Sequence, residues 1–146
     1  MPSRLTMRPI TSIVLHHSLT RDGVALADTH AIRRYHIETN GWQDIGYHLV
    51  QERIGDRPTV VIGRPWPISG AHAPGRNHDS LGYCLVGDFD AAPPDPATWE
   101  CALQTVRWLL VCFRLEPTAV YGHHEVTPHR TCPGSRFDLA AFRLAL

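Results

Sequence analysis

The chain has no run approaching eighteen apolar residues, so no membrane-spanning helix is expected. Its first residues, MPSRLTMRPITS, hold none of the apolar stretch that a secretory signal needs. Synthesis in the cytosol as a soluble protein is therefore expected. Net charge is absent too, because 14 basic residues face 14 acidic ones. A nucleic-acid partner would call for a clustered basic excess, so none is expected. Every basic residue is arginine and lysine is missing, a bias we read as genome composition rather than function. Repeats, low-complexity tracts and linkers are lacking as well. One domain over residues 1–146, with its core at about 11–144, acting as a monomer, is the simplest organisation.

The cysteines are few: Cys84, Cys101, Cys112 and Cys132. Their even number invites a disulfide reading, but Cys101 and Cys112 fall on one expected helix. Eleven residues of helix separate them by roughly 16 Å, beyond the roughly 7 Å Cα limit of a bridge. These two and Cys84 are expected as small hydrophobic residues of the core. Cys132 differs, because polar and turn residues surround it.

What the chain has in excess is histidine, ten in 146 residues. An apolar run, IVLHHS, ends in His16 and His17. Far downstream, GHHEVTPHRTCPG places His123 nine residues before Cys132. Two imidazoles and a thiolate brought together by folding would form a three-ligand zinc site. The fourth tetrahedral position would stay open to water, the pattern of a catalytic zinc and hence of a hydrolase.

Periodicity gives the framework. Residues 10–17 read as a buried strand with the histidine pair at its exit, and 19–27 as a loop. Asp28 or Thr29 caps a helix to about Asn40, with Gly41 as its stop. GYHLVQER from Gly46 reads as a half-buried strand and TVVIGR from Thr59 as its antiparallel neighbour. Residues 63–79 lack periodicity and are expected to be a functional loop. LGYCLVG from Leu81 is a buried strand. Asp95 caps a helix with Pro96 at its first position, running to about Arg114 on Trp99, Leu103, Val106, Leu110 and Phe113. AVYG is a short strand, GHHEVTPHRTCPG a long loop, and 138–145 a last helix. Interleaved helices and strands predict an α/β fold, a mainly mixed β-sheet flanked by helices.

Four segments in order, IVLHHS, GWQDIGYHLV, GAHAPGRNHDSLGYCLVGDFD and YGHHEVTPHRTCPG, resemble the type-2 N-acetylmuramoyl-L-alanine amidases. That superfamily includes the peptidoglycan recognition proteins, and the likeness is strongest to the compact phage lysozyme-type amidases. It runs from about residue 11 to 140. It implies peptidoglycan or a muropeptide as substrate, Zn2+ as cofactor, and His16, His123 and Cys132 as its ligands. A phage endolysin would then act on the cell wall after release. A cytosolic muropeptide-recycling amidase and a non-catalytic binding module share the resemblance. A zinc peptidase of another fold would leave the GAHA-to-GDF segment unexplained.

Strand alternation favours His16 over His17, since adjacent side chains point to opposite faces. His124 is expected beside the ligands or at the surface. Tyr47 matches a family tyrosine that polarises the scissile carbonyl, against the alternative of a core tyrosine. Arg130 stands where the compact phage enzymes have an oxyanion-stabilising lysine. This chain also has one more residue between His123 and Cys132 than those enzymes. Arginine can donate to an oxyanion but cannot serve as an acid at neutral pH. The resemblance makes His72, Asn77 and Ser80 substrate-groove residues, with Gly70 and Gly75 turning the backbone. The alternative is a structural loop whose Asn and Ser bond their own backbone. Glu125 and His129 are candidate proton acceptors by proximity in sequence alone. His36 and Trp42 are expected to pack.

Overall fold

In the computed structural model, which describes residues 6–21, 28–128 and 130–146, five strands form one sheet in the order β3-β2-β4-β1-β5. The strands are β1 (Ser12–His17), β2 (Leu49–Ile54), β3 (Arg57–Ile62), β4 (Ser80–Leu85) and β5 (Val120–Gly122). All neighbours run parallel except β2 and β3, which are antiparallel. The sheet is therefore mixed, as its patterning predicts. Helices α1 (Thr29–Glu38), α2 (Pro96–Phe113), α3 (His123–Val126) and α4 (Leu139–Leu144) complete the fold, with a single 3-10 turn at Pro117–Ala119. Among the described residues no helix is long and apolar enough to cross a membrane.

The two central strands explain their own composition. Every residue of β1 and β4 is buried, so their apolar residues, Ile13 to Leu15 and Leu81 to Leu85, run on without polar alternation. On one side Leu103, Val106, Leu109 and Leu110 of α2 meet Ile13, Leu15, Leu81 and Tyr83. Phe89, Trp99, Phe137 and Phe142 extend that cluster. A smaller cluster of Ile45, Val50, Cys84 and Val86 packs with Ile32 and Tyr47 on the other. The helix caps are those expected. Asp28 accepts from Ala31 N at 2.7 Å, and Asp95 from Thr98 N at 2.9 Å with Pro96 opening α2.

Three local expectations are corrected. β2 begins at Leu49 rather than Gly46, so Tyr47 and His48 lie in the approach to the strand. The segment from His123 is not all loop, because α3 forms at its start. Cys112 is exposed and Cys101 only partly buried. At 3.6 residues per turn both stand about 120–140° from the midline of the buried face of α2. Cys84 is buried as expected, and all four thiols are free. Most of the 19–27 loop lies outside the described residues, as does the start of the N-terminal segment.

Candidate metal centre

His16 and His17 sit at the carboxyl end of β1, flanked by parallel strands on both sides. In a parallel sheet this is where ligands bind, in the crevice beyond the strand ends. The His16 ring turns toward those of His123, at 4.5 Å between centroids, and of Tyr47 and His72, each at 5.0 Å. His17 turns the other way and stacks on Phe89, whose backbone N–H donates to its Nδ1 at 3.1 Å.

β5 delivers His123 as the first residue of α3, directly after Gly122. Cys132 comes back on the loop that follows. His16 Nδ1 lies 3.7 Å from its Sγ, and ligand atoms of His16, His123 and Cys132 all fall within 4.8 Å of one another. His123 Nε2 is buried with no hydrogen-bond partner. A buried ring nitrogen without a partner is costly, and a metal ion would satisfy it. Two imidazoles and one thiolate suit zinc in both donor type and number.

The electrostatics agree. Burial, with the neighbouring His72 and His123, holds His16 well below the usual histidine range. Burial, with the positive charge of Arg130, brings His123 down to about 4. Both rings therefore stay neutral and keep a lone pair to offer. Burial pushes the Cys132 thiol up to about 11 against the opposing pull of the His17 N–H and Arg130. A thiol so placed releases its proton readily only when a cation takes the sulfur.

The loop carrying Cys132 is fixed from two sides. Its carbonyl accepts both the backbone N–H of His124, at 2.7 Å, and the His124 ring Nδ1–H, at 3.1 Å. Asp90 accepts from Ser135 N at 2.7 Å and from Thr131 Oγ1 at 2.9 Å. Arg136 N donates to Phe89 O at 2.8 Å. Sequence reasoning gave Asp90 no part and placed Phe89 only within the GDFD segment. Their role depends on a loop more than 40 residues away, which no local pattern announces.

A cleft of about 980 Å³ opens over the three candidate ligands. Tyr47, His72, Asn77 and Arg130 all line it. Burial and the nearby thiols of Cys84 and Cys132 lift the Tyr47 hydroxyl well above the ordinary tyrosine range, so it remains a proton donor. Asn77 Oδ1 accepts from the backbone N–H groups of His72 and Ala73, at 2.8 and 2.9 Å. Its amide nitrogen is then the group left to face a ligand. Ser80 is fully buried and lies behind His72, bonded to it rather than set in the cleft wall. Gly75 turns the backbone at φ 88, whereas Gly70 sits against the rings of His72 and His48.

Trp42 lines the cleft and packs as expected, its ring tilted 48° against that of His36 at 4.7 Å between centroids. His36 accepts the Gly46 N–H at its Nδ1. Glu125 is corrected as a proton acceptor. It is exposed, caps α3 through Gly122 N at 2.9 Å, and pairs with Arg143. His129 lies outside the described residues.

The sequence profile of the family described as N-acetylmuramoyl-L-alanine amidase matches residues 6–135. The chain is similar to the endolysin of Escherichia phage T7, with 39% identity over 131 residues, 88% of this chain and 82% of that one. Its fold is similar to that of the N-acetylmuramoyl-L-alanine amidase LysC from Clostridium intestinale. That match has a TM-score of 0.80 at 26% identity, covering 99% of this chain and 89% of the other. Bumblebee PGRP-SA superposes with a TM-score of 0.75 at 29% identity, covering 90% and 82%.

Proposed function

The chain belongs to the N-acetylmuramoyl-L-alanine amidase family and is an enzyme of that kind, and on that premise we propose a zinc-dependent endolysin. It hydrolyses the amide joining the lactyl group of N-acetylmuramic acid to L-alanine in peptidoglycan, with residues 1–146 as one amidase domain. The observation that carries the reading is the convergence of His16 with His123 and Cys132, from two distant parts of the chain, beneath one cleft. Similarity along 82% of the phage T7 endolysin supports a role in lysis.

When bound, zinc supplies Lewis acidity, bringing the pKa of water down to about 7 and polarising a carbonyl oxygen. The chain's own residues do the rest. His16 and His123 present neutral nitrogens, and Cys132 a thiolate. Tyr47 donates its hydroxyl to the oxyanion as the carbonyl carbon becomes tetrahedral. Arg130 adds positive charge from the cleft rim. Asn77 offers its amide N–H to the stem peptide, while His72 forms the wall behind His16.

Digestion of intact sacculi beside soluble anhydro-muropeptides, read by mass spectrometry, tests this. Amidase action releases intact peptides with free L-alanyl termini and leaves intact glycan strands. Disaccharide-peptides would mean glycosidic cleavage and overturn the reaction. Cleavage confined to the soluble fragments would make the protein a recycling enzyme. Activity that survives exhaustive chelation would remove zinc from the account.

A further inference from the structure

Beyond the ligands, a chain of hydrogen bonds leads away from the cleft into the sheet. Ser80 Oγ lies 2.5 Å from Arg76 O and 3.2 Å from His72 Nε2. His72 Nδ1 lies 3.0 Å from His16 Nε2. The directions of these bonds can be assigned from one end. A carbonyl only accepts, so the single hydroxyl proton of Ser80 goes to Arg76 O. Ser80 Oγ must then accept from His72, which places the His72 proton on Nε2. His72 Nδ1 keeps its lone pair and accepts from His16 Nε2–H. The remaining nitrogen of His16, Nδ1, is left bare, and it is the one that faces Cys132 Sγ.

We infer that Ser80 and His72 are positioning residues that fix the tautomer and the ring plane of His16, so that its Nδ1 is the atom offered to the metal. The inference rests on the metal reading above. A carbonyl at the far end sets the polarity, and each neutral ring passes it on. Metal-bound histidines generally donate their other N–H to a fixed acceptor, and that acceptor is usually a carboxylate, a carbonyl or water. Here a second neutral histidine fills the place, and it can accept only because Ser80 holds its proton on the far side.

Two glycines make room for the His72 ring. A Cβ built on Gly82 would come within 2.5 Å of His72 Cγ and Cδ2, and one on Gly70 within 2.5 Å of Cδ2. The His72 ring thus lies directly against two backbones that carry no side chain. Asn77 fixes the backbone of His72 through its N–H. This gives Asn77, Ser80, Gly70 and Gly82 a common purpose that the sequence motif alone does not state.

Zinc dissociation constants, measured by competition with a chromophoric chelator, test the relay together with 15N NMR of the histidine rings. Ser80→Ala and His72→Ala should each weaken zinc binding by about 10–100-fold. Gly82→Ala should weaken it in the parent chain and add nothing in the His72→Ala background, since the displaced ring is gone. NMR of the whole chain, before and after zinc addition, should show His72 protonated at Nε2 and bare at Nδ1. Protonation of His72 at Nδ1 would overturn the inference. So would unchanged zinc affinity in both Ser80→Ala and His72→Ala, and with KM raised it would mark His72 as a substrate contact only. A parent chain that binds no zinc would defeat the metal reading, while the tautomer seen by NMR would still decide the relay.

Discussion

Gly134, two residues after Cys132, tests how tightly the ligand loop is held. Its φ of 124° lies in the region that favours glycine. A Cβ there would meet Phe89 backbone C at 2.5 Å, and Phe89 Cβ and O at 2.6 Å. These are not the far ends of flexible side chains, so the neighbour cannot swing aside. Overpacking costs about 1–3 kcal/mol, and a disfavoured backbone conformation about 1–3 kcal/mol more. Gly134→Ala should therefore cost about 2–6 kcal/mol in urea denaturation, seen as a lower midpoint at unchanged slope. The loop can relieve the collision only by moving off Phe89, and that carries Cys132 with it. Metal–ligand distances hold to within about 0.2 Å in good sites, so zinc affinity should fall at least about tenfold. Gly75→Ala is the control. Its φ is 88° and nothing lies within 4 Å of the added Cβ, so only the backbone term of about 1–2 kcal/mol remains. A Gly134→Ala chain as stable as Gly75→Ala, with zinc binding intact, would refute the claim that Phe89 braces the loop.

Other outcomes follow from the same geometry. Tyr47→Phe should fold and bind zinc but lose roughly 10²–10³ in kcat if its hydroxyl meets the oxyanion directly; an unchanged rate would leave it a packing residue. His16→Ala should abolish zinc binding in metal analysis after dialysis, while His17→Ala should retain it, and the reverse pattern would transfer the ligand role to His17. Cys132→Ser should lose the metal, and full zinc with full activity in that variant would remove the thiolate from the site. Burial holds His48 down at about 4, against an unfolded value near 6.5. Because its folded value is depressed, the unfolded chain takes up the extra proton, and stability is lost as pH falls from about 6.5 toward 4. That loss should reach about 2 kcal/mol by pH 5; a His48 ring that titrates near 6.5 by NMR would remove it.

The sequence made the sheet legible because the central strands are buried on both faces and carry apolar stretches without polar alternation. Capping was equally plain at Asp28 and Asp95, where a local side chain meets a local N–H. Alternation along β1 separates His16 from His17 without any knowledge of their surroundings. What stayed hidden is whatever depends on a distant partner. Asp90 bonds Thr131 and Ser135, and nothing in GDFD foretells that contact. Ser80 reads as the start of a strand or the end of a loop, and only the fold sets it against His72. Cys112 shows the opposite failure, since an apolar residue on an amphipathic helix can simply stand on its exposed face.

The distance along the chain from His16 to the other two candidate ligands also governs when the proposed centre can exist. His16 and Cys132 are 116 residues apart, and His123 arrives only after β5. As the chain emerges in order, His16 waits on β1 while four more strands and the long helix are made. A chain interrupted before β5 would hold one of the three ligands, and so could assemble no hydrolytic centre. Truncated products and stalled intermediates would thus be inert toward the wall. The capacity to cut would appear abruptly, once the segment from His123 to Cys132 has been made.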